Sequence, residues 1–407
     1  MRSHVTFSPL SRSPLSSIPA QPASHASATA SSASSGRATR TSMQRKSFVV
    51  LLPLLALLAG PPGCGCYYPH LAVGQARLLL ARSSIDALLE DPKTPAELRR
   101  QLELVEETRR FAAGLGLDVG GRYTSYAAWP GDRIITTVVA TPEGSLEATP
   151  FHFPIVGEAP YKGFFDLERA EREARSLQRQ GMDVCLSPVS AYSTLGWLDD
   201  PVTEPMLRTG DGRLVETLLH ELVHTTVFSK SQPEFNEGVA NFVGQEASVR
   251  FFAERQASGA STDSEPRASP QNPNPMSPSA RQRAQVRDDR LLAVALVEIR
   301  DHIRQLYDLE LAGEERTTRR LALDTEARQQ LASLPFEIHR ADSLAEHIRL
   351  NDACLALGQA YTGDTELHVE ILDGLGGDLR AFIERLEQAA SAEDPRAAFF
   401  GAVADSG

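Results

Sequence analysis

Apolar residues recur every three to four positions from Leu71 to Leu89, the period of a helix lying on a core. A second helix is predicted from Thr94-Pro95-Ala96-Glu97 to near Gly114. Thr94 is placed to cap it, Pro95 suits a first helical position and Glu97 completes a capping box. The pattern then changes. RIITTVVA (133–140), FHFPIV (151–156) and MDVCLS (182–187) are β-branched or apolar runs that predict strands. Between the last two, DLERAEREARSLQRQ (166–180) predicts a charged helix with a thin apolar stripe. An apolar helix around HELVH (220–224) follows, then a break at SKSQP (229–233) and another helix beginning EFNEGVANFVGQE. Residues 256–288 are rich in Pro, Ser and Asn and nearly free of apolar side chains, which predicts a disordered insert. Further helices are expected at 289–310, 313–333, 341–360 and 378–391. The whole predicts an α+β fold: a small sheet packed against the HExxH helix pair, with a mostly helical C-terminal layer.

The chain start carries no such periodicity. Residues 1–42 are Ser, Ala and Pro rich. MQRKSFVVLLPLLALLAGPPGCGC then shows a basic start at Arg45 and Lys46 and an apolar run from Phe48 to Ala59. Small residues with Cys64 and Cys66 follow. This is the layout of an export signal, and the apolar run is short for a membrane span. A cysteine directly after it resembles a bacterial lipoprotein signal, with Cys64 or Cys66 taking the lipid and Met43 as an alternative start. The expected division is therefore a leader at 1–63, a core at 64–255, the insert at 256–288 and a helical region at 289–395. The expected location is the cell envelope, lipid-anchored or periplasmic.

Charge narrows the function. The first 63 residues hold six Lys or Arg and no acid, leaving 35 basic against 53 acidic residues beyond them. Such an acidic body excludes a nucleic-acid binder. Of the other cysteines, Cys185 and Cys354 stand alone in apolar settings, as buried thiols or as a disulfide.

The chemistry concentrates in HELVH. Positions i and i+4 of a helix share a face, so His220 and His224 can offer imidazole nitrogens to one ion, with Glu221 beside a bound water. The flanking Leu218, Leu219, Leu222, Val223 and Val227 predict a buried helix, where two histidines and a glutamate are costly unless ligated. A catalytic zinc takes three protein ligands and keeps one position open. The pattern HExxHxxGxxH is excluded, because Val227 and Lys230 occupy its later positions. Glu237, in the first turns of the next helix, is the candidate third ligand. Glu216 and Asn241 are candidates to orient ligands, or plain surface and capping residues. Tyr192, in SAYSTLGW (190–197), is the candidate donor to a reacting carbonyl oxygen, with Tyr361 a second. Glu158 or Glu234 would read a substrate amine. Asn351 fits a helix cap. His152, His302, His339, His347 and His368 fit structural or surface roles.

Several stretches resemble one family: CYYPHLAVGQARLLLARSSI, RFAAGLGLD, YTSYA, FHFPIVGEAPYKGFFD, SAYSTLGWLDDPV, LLHELVHTTVF, FNEGVANFVGQE and LNDACLALGQAYTGD. They are similar to the predicted bacterial aminopeptidases, exported and often lipid-anchored zinc proteins. The similarity spans roughly 64–255 and 290–390. It implies Zn2+ held by His220, His224 and Glu237, with Glu221 as catalytic glutamate and a peptide as substrate. The chain departs at Glu158, where cysteine is common, at Asp352 in LNDA, where asparagine is usual, and in the 256–288 insert. A zinc endopeptidase, or a non-catalytic envelope lipoprotein with a structural metal closed by a fourth ligand such as Cys185, are the other readings of the same residues.

Overall fold

The computed structural model describes residues 67–153, 157–191, 199–229, 232–259, 276–309, 311, 313–357 and 364–404. Cys64, Cys66, Tyr192 and Tyr361 lie outside these residues. The fold is mixed α+β, mostly helical, with three small sheets.

The N-terminal part contains α1 (Tyr67–Leu80), β1 (Arg82–Ser84), α2 (Ile85–Glu90), α3 (Ala96–Gly114), β2 (Ser125–Ala127), β3 (Ile135–Pro142), β4 (Phe151–Phe153), β5 (Gly157–Ala159) and β6 (Lys162–Phe164). After these come α4 (Leu167–Gln178), β7 (Met182–Val189), β8 (Val202–Thr203), α5 (Glu204–Leu207), α6 (Asp211–Thr226) and α7 (Pro233–Ala257). The remainder is helical: α8 (Pro278–Asp308), α9 (Gly313–Ala332), α10 (Ala341–His347), α11 (Asp352–Leu357), α12 (Thr365–Gly374), α13 (Leu379–Ala390) and α14 (Pro395–Ala404).

The expected helix over 71–89 is two helices separated by a strand. Arg82, Ser83 and Ser84 pair antiparallel with Ala127, Tyr126 and Ser125, and the Ser84 hydroxyl then accepts from the Ala87 N–H to start α2. Strand β2 also pairs, in parallel, with β8. The capping box at Thr94 is absent. The Thr94 hydroxyl donates to the Leu88 carbonyl (2.6 Å), and Glu97 pairs with Arg100.

The single expected sheet is also corrected. Strands β6, β3 and β7 form an antiparallel sheet in that order, and β4 with β5 forms a separate hairpin. The three-stranded sheet packs mainly against α4 and α11 rather than against the helix pair. The reason lies in its side chains. Val138, Phe164 and Ala170 form one apolar cluster, and Val139, Cys185 and Ala353 form another across the sheet. Cys185 and Cys354 are joined in a disulfide, which ties α11 to β7. Asn351 assists: its amide donates to Asp183 Oδ1 and to the Val184 carbonyl, both at 3.0 Å. The expected helix 341–360 is broken at this anchor.

Helices α6 and α7 lie against each other at the centre of the largest core, with α3 packed on α6 and α8 on α7. From the C-terminal end, Phe382, Phe399 and Phe400 complete the same core. Residues 278–288, expected within the disordered insert, are the first turns of α8. Ser277 caps them, Pro278 sits in the first turn, and Ala284 and Val286 are buried. The isolated Ala and Val between charged residues gave too little apolar signal to reveal this.

Candidate metal centre

Helix α6 is buried at every position from Leu218 to His224. Its first turn is held by Asp211, whose carboxylate takes two bonds from Arg100 of α3 (2.7 and 2.9 Å). Its last turn is held by Thr225 and Thr226. The Thr225 hydroxyl donates to the Asp118 carbonyl (3.0 Å), and the Asp118 N–H donates to the Thr226 hydroxyl (2.8 Å). The turn into α7 is set by Asn236. Its side chain accepts from the Ser229 N–H (2.9 Å) and donates to the Ser229 carbonyl (2.8 Å).

This turn brings Glu237 back over the histidines. The Nε2 atoms of His220 and His224 are 3.1 Å apart, and the Glu237 carboxylate lies 3.5 Å from His220 Nε2 and 3.3 Å from His224 Nε2. The three residues are 2%, 7% and 0% exposed. Donor atoms spaced around an ion at about 2.0–2.1 Å in a tetrahedron are about 3.3 Å apart. The observed separations bracket that value, and both Glu237 oxygens lack hydrogen-bond geometry to any partner among the described residues. Two imidazole nitrogens and a carboxylate whose oxygens are unsatisfied therefore converge, and this buried group could hold a metal.

The electrostatics agree. Burial alone would raise the Glu237 carboxyl, yet the two imidazoles hold it down at about 2. Burial pulls the His224 imidazole down, and Glu237 more than offsets it, leaving its pKa above the ordinary value. Glu221 is 2% exposed, and both its oxygens are without a partner among the described residues. Burial pushes its pKa up, with the two imidazoles opposing. A buried carboxyl raised in this way beside a metal-type donor set is what a proton carrier requires.

Gly244 governs how closely the two helices meet. A Cβ there would stand 3.1 Å from the Glu216 carbonyl oxygen and 3.2 Å from both the backbone nitrogen and the Cβ of His220. Glu216 is partly buried and bonds Arg213 (3.3 Å) and Gln282 (3.2 Å), so it braces α6 against α8. Asn241 is partly buried one turn beyond Glu237. Glu158 and Glu234 are exposed, and Asn351 is committed to β7. Asp352 accepts from the Tyr307 hydroxyl (2.6 Å) and pairs with Arg320. His339 pairs with Asp289 at 3.1 Å, His152 and His302 are exposed, and His347 bonds the Ser343 carbonyl. His368 is enclosed by phenylalanine rings. Sequence reasoning missed two tyrosines. Tyr161 carries a phenol raised by burial and then by the charge of Glu237. Tyr123 carries one raised by burial and then by Glu221. Both stand in stretches that resemble the family, YTSYA and FHFPIVGEAPYKGFFD, but nothing in their spacing singles the tyrosines out.

A helix pair presenting His220, His224 and Glu237 at these separations, with Glu221 alongside, defines a candidate metal-dependent hydrolase site. The chain matches the family model described as "Putative aminopeptidase" over residues 66–398 and belongs to that family. That membership supports peptidase activity in general. No curated protein and no solved structure matches the chain. Among the described residues, no helix is long and apolar enough to cross a membrane.

Proposed function

We propose that the protein is a zinc metallopeptidase of the cell envelope that releases amino-terminal residues from peptides. The convergence of two imidazole nitrogens and one carboxylate within 3.5 Å of one another carries this reading. Two histidines and one acid form a ligand set used for catalytic zinc, which leaves a position for solvent. When bound, the ion supplies an acidified water and polarises the peptide carbonyl. His220, His224 and Glu237 would hold it. Glu221 takes a proton from the attacking water and delivers it to the leaving amine. Burial of its carboxyl favours that exchange, because the raised pKa lies nearer the working pH. Tyr192 would donate to the reacting oxygen.

Cys185 is paired with Cys354, so it does not close the coordination sphere as a structural zinc would require. The same disulfide suits an oxidising compartment and supports export through the 1–63 leader, with a lipid on Cys64 or Cys66. Peptide hydrolysis by the purified protein, with free and blocked amino termini compared, tests the reading. The expected result is cleavage of free-amine peptides only, abolished in Glu221→Gln with zinc content unchanged. Cleavage of blocked peptides would make it an endopeptidase. Full activity in Glu221→Gln would refute the mechanism.

A further inference from the structure

Helix α1 (Tyr67–Leu80) is apolar on two sides, and only one of them is packed. The inward side is clamped to β6 and the residue that follows it. The Tyr67 hydroxyl donates to the Gly163 carbonyl (3.0 Å), and His70 Nε2 accepts from the Phe165 N–H (3.1 Å). Gly74 and Leu78 are buried further along the same side, and a Cβ on Gly74 would overlap the Phe165 ring. The outward side is the anomaly. Pro69, Val73, Ala76 and Leu80 recur at i, i+4, i+7 and i+11, a second apolar stripe. Val73 is 68% exposed and Leu80 87%, with Leu79 exposed on the flank. A helix whose other face meets water carries polar side chains there. The one charged side chain of α1 is Arg77, exposed at the edge of the stripe with its guanidinium 4.8 Å from the Trp129 ring centre. Exposed apolar side chains in such a row mark a contact surface.

Position and charge together name the occupant. Cys64 and Cys66 precede Tyr67 by three residues and one, so a lipid on either holds the start of α1 within about 11 Å of a bilayer. The first acidic residue of the chain is Asp86, and from Tyr67 to Ile85 the only charges are Arg77 and Arg82. The rest of the body is strongly acidic, so anionic headgroups repel it and accept this helix. Fourteen residues make a helix of about 21 Å, too short to cross a bilayer. Standing upright on its anchored end, α1 would lift Leu80 about 20 Å into water, whereas lying flat brings Val73 and Leu80 to one depth.

We propose that α1 is an interfacial helix: it lies flat on the bilayer that holds the lipid anchor, with Val73, Ala76 and Leu80 at the acyl boundary and Arg77 reaching the headgroup phosphates. The inference rests on the lipid-anchored envelope reading for its nearness to the membrane, and on the exposed stripe for the helix itself. The clamp between α1 and β6 then fixes which side of the protein faces the membrane.

Tryptophan substitution in the full chain, expressed with its leader in a bacterial host, tests this. Val73→Trp, Leu80→Trp and a control on α9, Leu321→Trp (65% exposed), are reconstituted into phosphatidylethanolamine–phosphatidylglycerol vesicles with brominated acyl chains. The wild-type emission, from Trp129 and Trp197, is subtracted. The emission added at 73 and 80 should fall about twofold or more relative to unbrominated vesicles, and that at 321 should not change. Quenching at 80 no greater than at 321 would overturn the proposal. In a Cys64→Ser/Cys66→Ser chain without vesicles, acrylamide should quench the tryptophans at 73 and 80 freely. Shielding there would put the leader or a second copy on the stripe and overturn the proposal as well. The mass of the wild-type chain judges the anchor separately. A lipid-bearing chain with Leu80→Trp unquenched would sink the helix and leave the anchor standing. A chain without lipid whose Leu80→Trp is still quenched would overturn the anchor and support the helix.

Discussion

The sharpest structural prediction concerns Gly244, which touches no substrate and no ion. In Gly244→Ala, the added Cβ meets the Glu216 carbonyl oxygen at 3.1 Å and the backbone nitrogen and Cβ of His220 at 3.2 Å. Ordinary contacts begin near 3.4 Å, so α7 must stand off from α6 by about 0.3 Å. None of the three atoms is the free end of a flexible side chain, and one belongs to the backbone of a candidate ligand. Glu237 lies seven residues earlier, two turns along the same face of α7, so the displacement carries to its carboxylate. Metal–ligand distances tolerate about 0.2 Å. Overpacking costs about 1–3 kcal/mol, and replacing a helical glycine by alanine returns about 0.8–1.0 kcal/mol. Net stability without metal should therefore fall by no more than about 2 kcal/mol. Zinc affinity should fall about tenfold or more, which corresponds to about 1.4 kcal/mol. A competition titration against a chromophoric chelator measures the affinity, and denaturant unfolding of the metal-free protein measures the stability. Unchanged zinc affinity in a folded Gly244→Ala protein would refute the claim that this close approach sets the donor geometry.

Reduction of Cys185–Cys354, which closes a loop of sequence separation 169, should destabilise the protein by about 5 kcal/mol in the chain-entropy picture; melting with and without reductant checks it. His368 is 1% exposed, lies within 5.2 Å of the Phe242 and Phe400 ring centres, and has a pKa lowered to about 4 by burial. Its folded pKa is below its unfolded value, so its neutral form favours the fold above pH 6.5 and stability is lost as pH falls toward 4. The loss should reach about 3 kcal/mol, and His368→Leu should remove most of that slope in a pH series of unfolding measurements. Asp288, which accepts from the N–H groups of Glu337, Ile338 and His339 at 2.7–3.0 Å, anchors the loop between α9 and α10. Asp288→Ala should destabilise by several kcal/mol, as read by denaturant unfolding, because buried donors lose a charged acceptor.

The metal-type site was legible because its information is local. HELVH places two histidines on one helical face whatever the rest of the chain does, and the SKSQP break requires the following helix to return. Glu237 then falls opposite them. The sheet was only partly legible. The β3 and β7 runs are strongly β-branched or apolar, but their partners are short three-residue pieces fixed by pairing rather than by pattern. The break in 341–360 depends on Asp183, Val184 and Cys185, far away in sequence. Helices α12 and α14 were missed because tertiary aromatic packing stabilises them: His368 and Phe399 become core only when they meet Phe242 and Phe235.

X-ray absorption at the zinc edge of the zinc-loaded protein tests the central claim most directly. The account predicts one zinc per chain, bound by two imidazole nitrogens, one carboxylate oxygen and one exchangeable solvent oxygen at about 2.0–2.1 Å, with binding lost in Glu237→Ala. A folded protein that takes up no zinc would contradict it, and so would a sphere closed by four protein ligands.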